Sequence, residues 1–306
     1  MEPELPPVAP EFSPVYGNDN EVAQIYGTTL WVQPNSPVAT ESFRSTLWYP
    51  LALHRRVRAW QLQKGARRNG TNVAKTVFGG GTVADLPGGK SPDYDAFNQN
   101  TPYMAFAAPK SGGIFVPDIT KCPLSPGRVK QWSLVLHEMA HAIDESFALD
   151  GDQLPYSQRE PFQAFARYIC GQSSDAPPEI LPPGADTRDI MTQILDAVQQ
   201  VDPAYQAQLS NSYSYLIMGG AGRKFGEELF ADLLADYYSP LEKKAEDFLG
   251  PRNVNYFGEE AVKKANILRF AARSYFARVV VPEILSSEPP GVIEPDSFED
   301  VYSDSE

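Results

Sequence analysis

The hydrophobic pattern of the chain changes character near residue 120. Between residues 72 and 120, short runs of β-prone residues alternate with glycine-rich turns such as 79–81, and this pattern predicts the strands of a small sheet. After residue 126, apolar residues recur every three or four positions, which predicts a series of helices. A small mixed sheet followed by a helical region is typical of an α+β fold.

The individual elements follow from the same patterns. The predicted strands cover residues 26–32, 73–78, 103–107 and 114–116. The predicted helices after the sheet cover 126–149, 157–171, 187–201, 203–218, 226–238, 241–248 and 258–286. One more helix is predicted over 45–68, from the apolar residues Leu47, Leu51, Val57 and Trp60 at helical spacing and a basic face of Arg55, Arg56 and Arg58. We expect that helix to start or bend at Pro50.

We expect one large domain with a polar segment at each end. Residues 1–22 are rich in proline and acidic residues, which predicts a mobile arm. Residues 23–286 are predicted to form the domain, sheet-rich to about residue 120 and helical over 126–286. Residues 287–306 contain seven carboxylates and no Lys or Arg, which predicts a solvated acidic tail.

The composition narrows the classes of protein to consider. Of 306 residues, 42% are apolar, which is enough for a sizeable core. The formal net charge of −13 argues against a nucleic-acid partner, because phosphate contacts need clustered Lys and Arg. No apolar run is long enough for a membrane span, and the first residues lack the features of a secretory signal. Two cysteines, Cys122 and Cys170, are too few for a disulfide framework, and two buried thiols are favoured over one bridge.

The predicted 126–149 helix carries the sequence His137-Glu138-Met139-Ala140-His141. Two histidines four residues apart project from nearly the same side of a helix, so both imidazoles can bind one zinc ion. Glu138 is rotated away from the metal and can act as general base on a metal-bound water. The alternative is a pair of surface histidines on an ordinary amphipathic helix. The third histidine of the chain, His54, has no partner at ligand spacing and is interpreted as a surface or core residue.

A catalytic zinc site needs a third protein ligand and an open position for water. Because no further histidine has ligand spacing, an Asp or Glu on a later helix is expected. In the predicted 226–238 helix, Glu228 and Asp232 lie four residues apart on one edge, with Glu227 pointing elsewhere, towards solvent. Glu228 can serve as the ligand and Asp232 can hold a ligand histidine through its other ring N–H. The pattern alone leaves open that both are solvated helix charges.

The two motifs together resemble the catalytic core of the anthrax lethal factor and Pro-Pro endopeptidase group, which are zincin metallopeptidases of the gluzincin type. In that group, a HExxH helix continues into Ala-x-Asp, and a later helix reads Glu-aromatic-Phe-Ala-acid. The matching residues here are His137-Glu138-Met139-Ala140-His141-Ala142-Ile143-Asp144 and Glu228-Leu229-Phe230-Ala231-Asp232. The resemblance implies a zincin-like catalytic domain in which Glu228 is the third zinc ligand and Asp232 is a supporting carboxylate.

The chain departs from the group in two ways. The stretch between His141 and Glu228 is about twice as long as the group usually shows, which implies an insertion or a substrate-shaping subdomain. The group also has a tyrosine seven residues before the ligand Glu, where its hydroxyl stabilises the oxyanion, and here that position is Ala221. Tyr215 or Tyr213 is the candidate replacement from the preceding helix, with Arg223 as another donor. The alternative, that both tyrosines are ordinary packing residues of an amphipathic helix, is favoured over this role.

Two further features, Asp144 and the run 111–117, are expected near the site. Asp144 follows His141 by three residues on the same side of the helix, so it either orients a ligand or ties the helix to its neighbour. The run 111–117, which precedes the histidine helix, is a candidate edge strand. In zincins such a strand pairs with the extended backbone of the substrate.

These observations predict a zinc-dependent endopeptidase with one Zn²⁺ per chain, which cleaves a protein or peptide substrate with a zinc-bound water activated by Glu138. Two alternatives stay open: a catalytically silent binding protein that keeps the fold, and a zinc amidase that acts on a non-peptide amide. An intact Glu138 speaks against the silent protein, because a structural metal site needs no general base. The resemblance also implies secretion or translocation into a host cell, as an effector or toxin, with a cytoplasmic location as the alternative.

Overall fold

The computed structural model describes residues 19–66, 76–79, 106–108, 112–118, 131–149, 154–171, 173–175, 177, 186–203, 226–239 and 254–286. Within these ranges the strands are β1 (Leu30–Val32), β2 (Thr76–Phe78), β3 (Phe106–Ala108) and β4 (Gly113–Val116). The helices are α1 (Asp19–Tyr26), α2 (Pro37–Thr46), α3 (Leu51–Ala66), α4 (Gln131–Ser146), α5 (Glu160–Ile169), α6 (Thr187–Val201), α7 (Glu227–Tyr238), α8 (Val254–Phe257), α9 (Glu259–Tyr275) and α10 (Val281–Ser286).

The four strands form one mixed sheet in the order β1-β2-β4-β3. Strands β1, β2 and β4 are parallel, whereas β3 runs antiparallel to β4. A mostly helical chain with one small mixed sheet confirms the predicted α+β class in general terms. The prediction that 111–117 is an edge strand is wrong, because β4 lies between β2 and β3 and every one of its residues is buried. Among the described strands, β1 and β3 form the edges.

The region predicted as a strand over 26–32 is divided among three elements. Tyr26 ends α1, a 3₁₀ turn covers Gly27–Thr29, and only Leu30–Val32 is extended. Helix α1 begins at Asp19 and buries Val22 completely. The boundary of the predicted arm at residue 22 is therefore too late, because an apolar side chain that fills the core holds this end of the segment in the fold.

Helix α2 was not predicted, because Ser and Thr occupy buried positions where a helical pattern would show apolar residues. Its start is nevertheless marked in the sequence: the Ser36 hydroxyl accepts a hydrogen bond from the Ala39 N–H, and Pro37 occupies the first turn. The hydroxyls of Ser42, Ser45 and Thr46 donate to carbonyls one turn earlier. These bonds let polar residues sit on the buried side of the helix.

Helix α3 starts directly after Pro50, as expected of a residue that cannot continue a preceding helix. Its predicted basic face does not face solvent throughout. Arg56 is buried, donates from Nε to the Ile284 carbonyl at 3.3 Å and places its guanidinium 4.2 Å from the centre of the Phe147 ring. The arginine thus packs as an amphipathic core residue and connects α3 to the end of α4 and to α10.

The helical half of the chain agrees with its prediction over most of the described residues. Helices α4, α5 and α7 lie within five residues of the expected bounds, α6 matches them, and the short helix α8 was not predicted. The predicted 258–286 helix is α9 and α10, joined by a π-helical stretch at Phe276–Val280. The predicted helices 203–218 and 241–248 and the tail 287–306 lie outside the described residues, apart from residue 203. No described helix is long and apolar enough to cross a membrane.

Helix α4 lies at the centre of the fold. It packs against α2, α3, α7 and both strands β3 and β4. Gln131 at its start donates to the Ser42 hydroxyl at 2.9 Å and to the Pro117 carbonyl at 2.8 Å. The Tyr49 hydroxyl donates to the Leu136 carbonyl at 2.8 Å. These bonds fix α4 to α2, to the end of β4 and to the loop before α3.

His54 is a core residue that joins the three N-terminal helices. Its Nε2 lies 2.9 Å from the Thr46 carbonyl, which can only accept, so Nε2 carries the proton. Its Nδ1 therefore accepts from the Tyr26 hydroxyl at 3.1 Å. Burial lowers the pKa of His54 to about 4, even though the backbone hydrogen bonds with Thr46 and Tyr49 raise it. The imidazole is therefore neutral in the folded protein at neutral pH. Of the two predicted positions for His54, surface or core, the structure shows the core position.

We expect acid to destabilise the protein through His54. The unfolded histidine takes up a proton below its usual pKa of 6.5, whereas the folded one does so only near pH 4. Stability contributed by the neutral form is therefore lost as pH falls from 6.5 to 4, by about 2–3 kcal/mol at pH 4.5. Urea unfolding at pH 7.5 and 4.5 measures the loss. His54→Gln is the control, because its amide can keep both bonds without titrating. Parallel losses in the two proteins would contradict this role.

Candidate metal centre

Helix α4 divides its residues between the core and a partly open side. The apolar residues Trp132, Leu136, Met139 and Ile143, together with Phe147 directly after the helix, are all buried, as their helical spacing requires. His137 and His141 lie on the other side and are half-buried, with side chains 18% and 20% exposed. The helix thus presents two imidazoles, one turn apart, to whatever packs beside them.

Helix α7 is the element that packs beside them. It begins after Gly226, whose φ of +96° is a left-handed conformation that glycine adopts without strain. Glu227 and Glu228 occupy its first turn, where negative charge is favoured by the helix dipole. Buried alanines on both helices, Ala140 and Ala231 among them, suit the close packing of α4 on α7.

This packing brings Glu228 onto the histidine pair. Its Oε2 lies 3.1 Å from the His137 Nε2 and 3.4 Å from the His141 Nε2. The two Nε2 atoms are 3.0 Å apart. One oxygen and two nitrogens therefore form a small triangle, and among the described residues this is the group that could hold a metal ion.

Asp232 completes the group from the next turn of α7. Its Oδ1 lies 2.7 Å from the Nδ1 of His137. A carboxylate accepts only, so it keeps a proton on the Nδ1 of His137 and, when the ring is neutral, leaves the Nε2 lone pair directed at the triangle. This is the arrangement expected of a carboxylate that orients a ligand histidine.

The charges around the triangle shift three pKa values. Burial acts to lower the pKa of His137, but the Asp232 and Glu228 carboxylates outweigh it and hold this pKa well above its usual value. The pKa of His141 is raised in the same way, against burial, mainly by Glu228. Burial acts to raise the pKa of Glu228, but hydrogen bonding to both histidines holds it well below the usual range. The carboxylate is therefore anionic, and positive charge is favoured beside it.

Glu138 lies next to this cluster. Its side chain is buried, with 7% of the residue exposed. Its carboxylate raises the pKa values of both His137 and His141, so it is close enough to act electrostatically on the triangle without being one of its corners. A carboxylate in this position can accept a proton from a molecule bound between it and the histidines.

Glu227 is less exposed than its predicted solvent-facing position implies. It is half-buried and its Oε1 accepts from the Gln158 amide at 2.8 Å. Burial raises the pKa of its carboxyl group, while the Gln158 bond lowers it. The prediction failed because helical geometry sets the direction of Glu227 on α7, but not the presence of a neighbouring segment on that side.

Asp144 ties α4 to the 3₁₀ turn Tyr156–Gln158. Its Oδ1 accepts from the Ser157 N–H at 2.7 Å and its Oδ2 accepts from the Ser157 hydroxyl at 2.6 Å. Burial raises the pKa of Asp144 to about 7, although both Ser157 bonds act to lower it. Of the two roles considered for Asp144, these contacts favour the tie between elements over the orientation of a ligand.

Several predicted residues cannot be placed. Tyr215, with Tyr213, Ala221 and Arg223, lies outside the described residues, as does Cys122. Cys170 is a buried free thiol. Sequence reasoning missed Ser157 and Gln158, because a Ser-Gln pair in a loop carries no motif and acquires its role only through the two helices it contacts.

Comparisons with protein-family models, with curated protein sequences and with solved structures find no match to this chain.

We expect Glu228 to be a ligand and its neighbour Glu227 not to be. Glu228→Gln removes the anionic oxygen of the triangle and should weaken Zn²⁺ binding severely, approaching the loss in His137→Ala. Glu227→Gln makes the same chemical change one residue away and should alter the affinity little, because an amide can still accept from Gln158. Chelator competition with purified protein measures all three. If Glu227→Gln lost the metal and Glu228→Gln kept it, the assignment would be wrong by one residue.

We expect Asp232 to support the site without binding the ion. Asp232→Ala removes the acceptor at the Nδ1 of His137 and frees the ring to rotate or change tautomer. The expected cost is about 10–100-fold in Zn²⁺ affinity, smaller than that of Glu228→Gln. Asp236→Ala is the matched control, since Asp236 lies one turn further along α7 and pairs with Arg273 instead. Equal losses in the two variants would contradict the role of Asp232.

Proposed function

We propose that the protein is a zinc-dependent endopeptidase that cleaves a protein or peptide substrate. The observation that carries the proposal is the convergence of His137, His141 and Glu228 on one small triangle, with Glu138 beside it. The resemblance of the two motifs to the lethal factor and Pro-Pro endopeptidase group supports it, since that group has the same residue types at these four positions.

The donor set fits zinc in kind and in size. Two imidazole nitrogens and one carboxylate oxygen are the protein ligands of the His₂Glu catalytic zinc sites. A tetrahedral ion with bonds of 2.0–2.2 Å has ligand atoms about 3.3–3.6 Å apart. The three separations here are 3.0, 3.1 and 3.4 Å. Three ligands leave the fourth position of a tetrahedron for water or substrate, which is typical of a catalytic site.

A zinc ion held there would polarise the scissile carbonyl and lower the pKa of water. The chain supplies the proton chemistry. Glu138 takes the proton of the attacking water on its carboxylate and delivers it to the leaving amine. Its burial excludes bulk water, which strengthens the electrostatic interactions of the carboxylate. Asp232 keeps the His137 ring in one tautomer throughout.

The residue that stabilises the oxyanion stays a prediction. Tyr215 is the candidate carried by the sequence, with its hydroxyl in place of the tyrosine that the resembled group has at the position of Ala221. A hydroxyl donor at the developing negative charge contributes on the order of 10²–10³ in rate. Tyr215→Phe would remove that donor alone.

Strand β3 is the better candidate for pairing with an extended substrate. It lies at an edge of the described sheet and contacts α4, which carries the histidines. An edge strand offers unpaired backbone groups to an extended peptide, which adds to the sheet as a further strand. This replaces 111–117, whose strand β4 is paired on both sides. On the resemblance alone, the protein is proposed to act outside the cell that produces it, after secretion or delivery into a host cell.

The test is cleavage of a peptide library, read by mass spectrometry, with Glu138→Gln beside the wild type. The amide in this variant has the size of the Glu138 carboxylate but cannot take a proton, so hydrolysis should fall on the order of 10²–10⁴ with Zn²⁺ retained. Glu145→Gln is the matched control. It makes the same change two turns along α4, where Glu145 pairs with Lys64 at 3.4 Å, and should keep its activity.

The outcomes separate the proposed activity from its alternatives. Zn²⁺ uptake without cleavage of any peptide would contradict the endopeptidase and favour a silent binding protein, or an amidase if non-peptide amides were hydrolysed. Cleavage that Glu138→Gln retained in full would assign the base to another residue.

A further inference from the structure

The turn Tyr156–Gln158 lies between the two helices that carry the candidate ligands. On one side, Ser157 donates to Asp144 of α4 from both its backbone N–H and its hydroxyl, at 2.7 and 2.6 Å. Ser157 and Asp144 are both buried, with 0% and 2% exposed. Two short bonds to one buried carboxylate hold the turn to α4 in a single orientation.

On its other side the turn contacts the start of α7. The Gln158 amide donates to Glu227 at 2.8 Å. A Cβ on Gly226 would lie 3.0 Å from the Ser157 carbonyl oxygen, so a side chain there would crowd the turn, and the positive φ of this residue also favours glycine. The first residues of α7 therefore rest directly on the turn.

The ring of Tyr156 adds an apolar contact to both helices. Its centre lies 5.3 Å from that of Phe147, which directly follows α4, and 5.7 Å from that of Phe230 on α7. Its hydroxyl donates to Glu283 of α10 at 2.7 Å. All three residues of the turn thus contact α4, α7 or both, and the third helix prevents the turn from moving away.

The contacts fall close to the ligands on each helix. Asp144 follows His141 by three residues, about 4.5 Å along the helix axis, and Gly226 and Glu227 immediately precede Glu228. A shift of the turn is therefore transmitted to the separation between Glu228 and the two histidines. Metal sites require ligand distances within about 0.2 Å of ideal values, so a small shift is enough to weaken binding.

We propose that Ser157 is a positioning residue of the metal centre, which sets the separation of the Glu228 helix from the histidine helix through its two bonds to Asp144. The inference rests on the proposed metal centre. It predicts that loss of the Ser157 hydroxyl weakens metal binding through Glu228, although Ser157 does not contact any of the three donors.

The test is a double-mutant cycle on Zn²⁺ affinity, measured by chelator competition in the full chain. Ser157→Ala should weaken binding about tenfold or more, in the range found for residues that support ligands. In a Glu228→Ala background, Ser157→Ala should reduce the Zn²⁺ affinity little further. The remaining ligands, His137 and His141, lie on the same helix, so their separation does not depend on the position of α7. Gln158→Ala, which removes the bond to α7, should repeat this result.

Ser239→Ala is the matched control. Ser239 is buried and directly follows α7, and its hydroxyl donates to the Ala235 carbonyl. Its loss therefore removes a buried hydrogen bond at the far end of the same helix. It should leave the Zn²⁺ affinity unchanged. Thermal unfolding without metal confirms that each variant is folded at the temperature of the titration.

Three results would overturn the inference: unchanged affinity in both Ser157→Ala and Gln158→Ala, an equal loss with and without Glu228, or an equal loss in Ser239→Ala. Each leaves the proposed activity untouched. A wild type that binds Zn²⁺ but cleaves no peptide contradicts the activity alone. A wild type that takes up no Zn²⁺ refutes the metal centre and this inference together.

Discussion

The packing of α4 against α7 is the constraint on which the candidate site depends. Two imidazoles on α4 become a possible metal centre only because Glu228 reaches them from α7, with Asp232 behind His137. Half-buried carboxylates and imidazoles are costly unless they are paired. Here each carboxylate is matched by a histidine, and the resulting pKa shifts favour a cation at the centre of the group.

The rest of the molecule holds α4 and α7 in place. Gln131, Tyr49 and Arg56 fix α4 to the N-terminal helices and to the end of β4 through side chain–backbone bonds and ring contacts. Behind α7, the rings of Phe162, Phe230 and Phe276 pack on one another with centres 5.6–6.1 Å apart. Rigid support of this kind would hold the candidate ligands at a fixed separation before an ion binds.

The buried polar groups of the fold divide into two kinds. His54 and the hydroxyls of α2 satisfy their hydrogen bonds within the N-terminal helices and stabilise local geometry. Asp144 of α4 instead binds Ser157 in the Tyr156–Gln158 turn, and the same turn contacts α7 through Gln158. A buried carboxylate with two short bonds has few alternative arrangements, so it specifies where the turn lies as well as stabilising it.

Local chemistry was readable from the sequence. The i, i+4 histidines, the buried face of α4 and the bounds of α6 and α7 follow from helical periodicity, which acts within one element. Helix α2 was missed because its buried Ser and Thr hydroxyls hydrogen-bond to carbonyls of the same helix, so its buried face is not apolar. The strand predicted at 26–32 overlapped α1, because periodicity defines the ends of elements poorly. The pairing of β4 on both sides was also beyond the sequence, since sheet order depends on long-range contacts.

The sequence by itself therefore determined the two histidines, the adjacent glutamate and an acidic helix later in the chain. Tertiary structure decided that Glu228 and Asp232 contact the histidines while Glu227 contacts Gln158, that β3 is an edge of the described sheet, and that Ser157 and Gln158 lie between α4 and α7. The physical reason is that the sequence pattern reports interactions within one element, whereas the site depends on contacts between elements. Helical geometry sets the direction of a side chain on its own helix, but only the packing of elements far apart in sequence sets what that side chain meets.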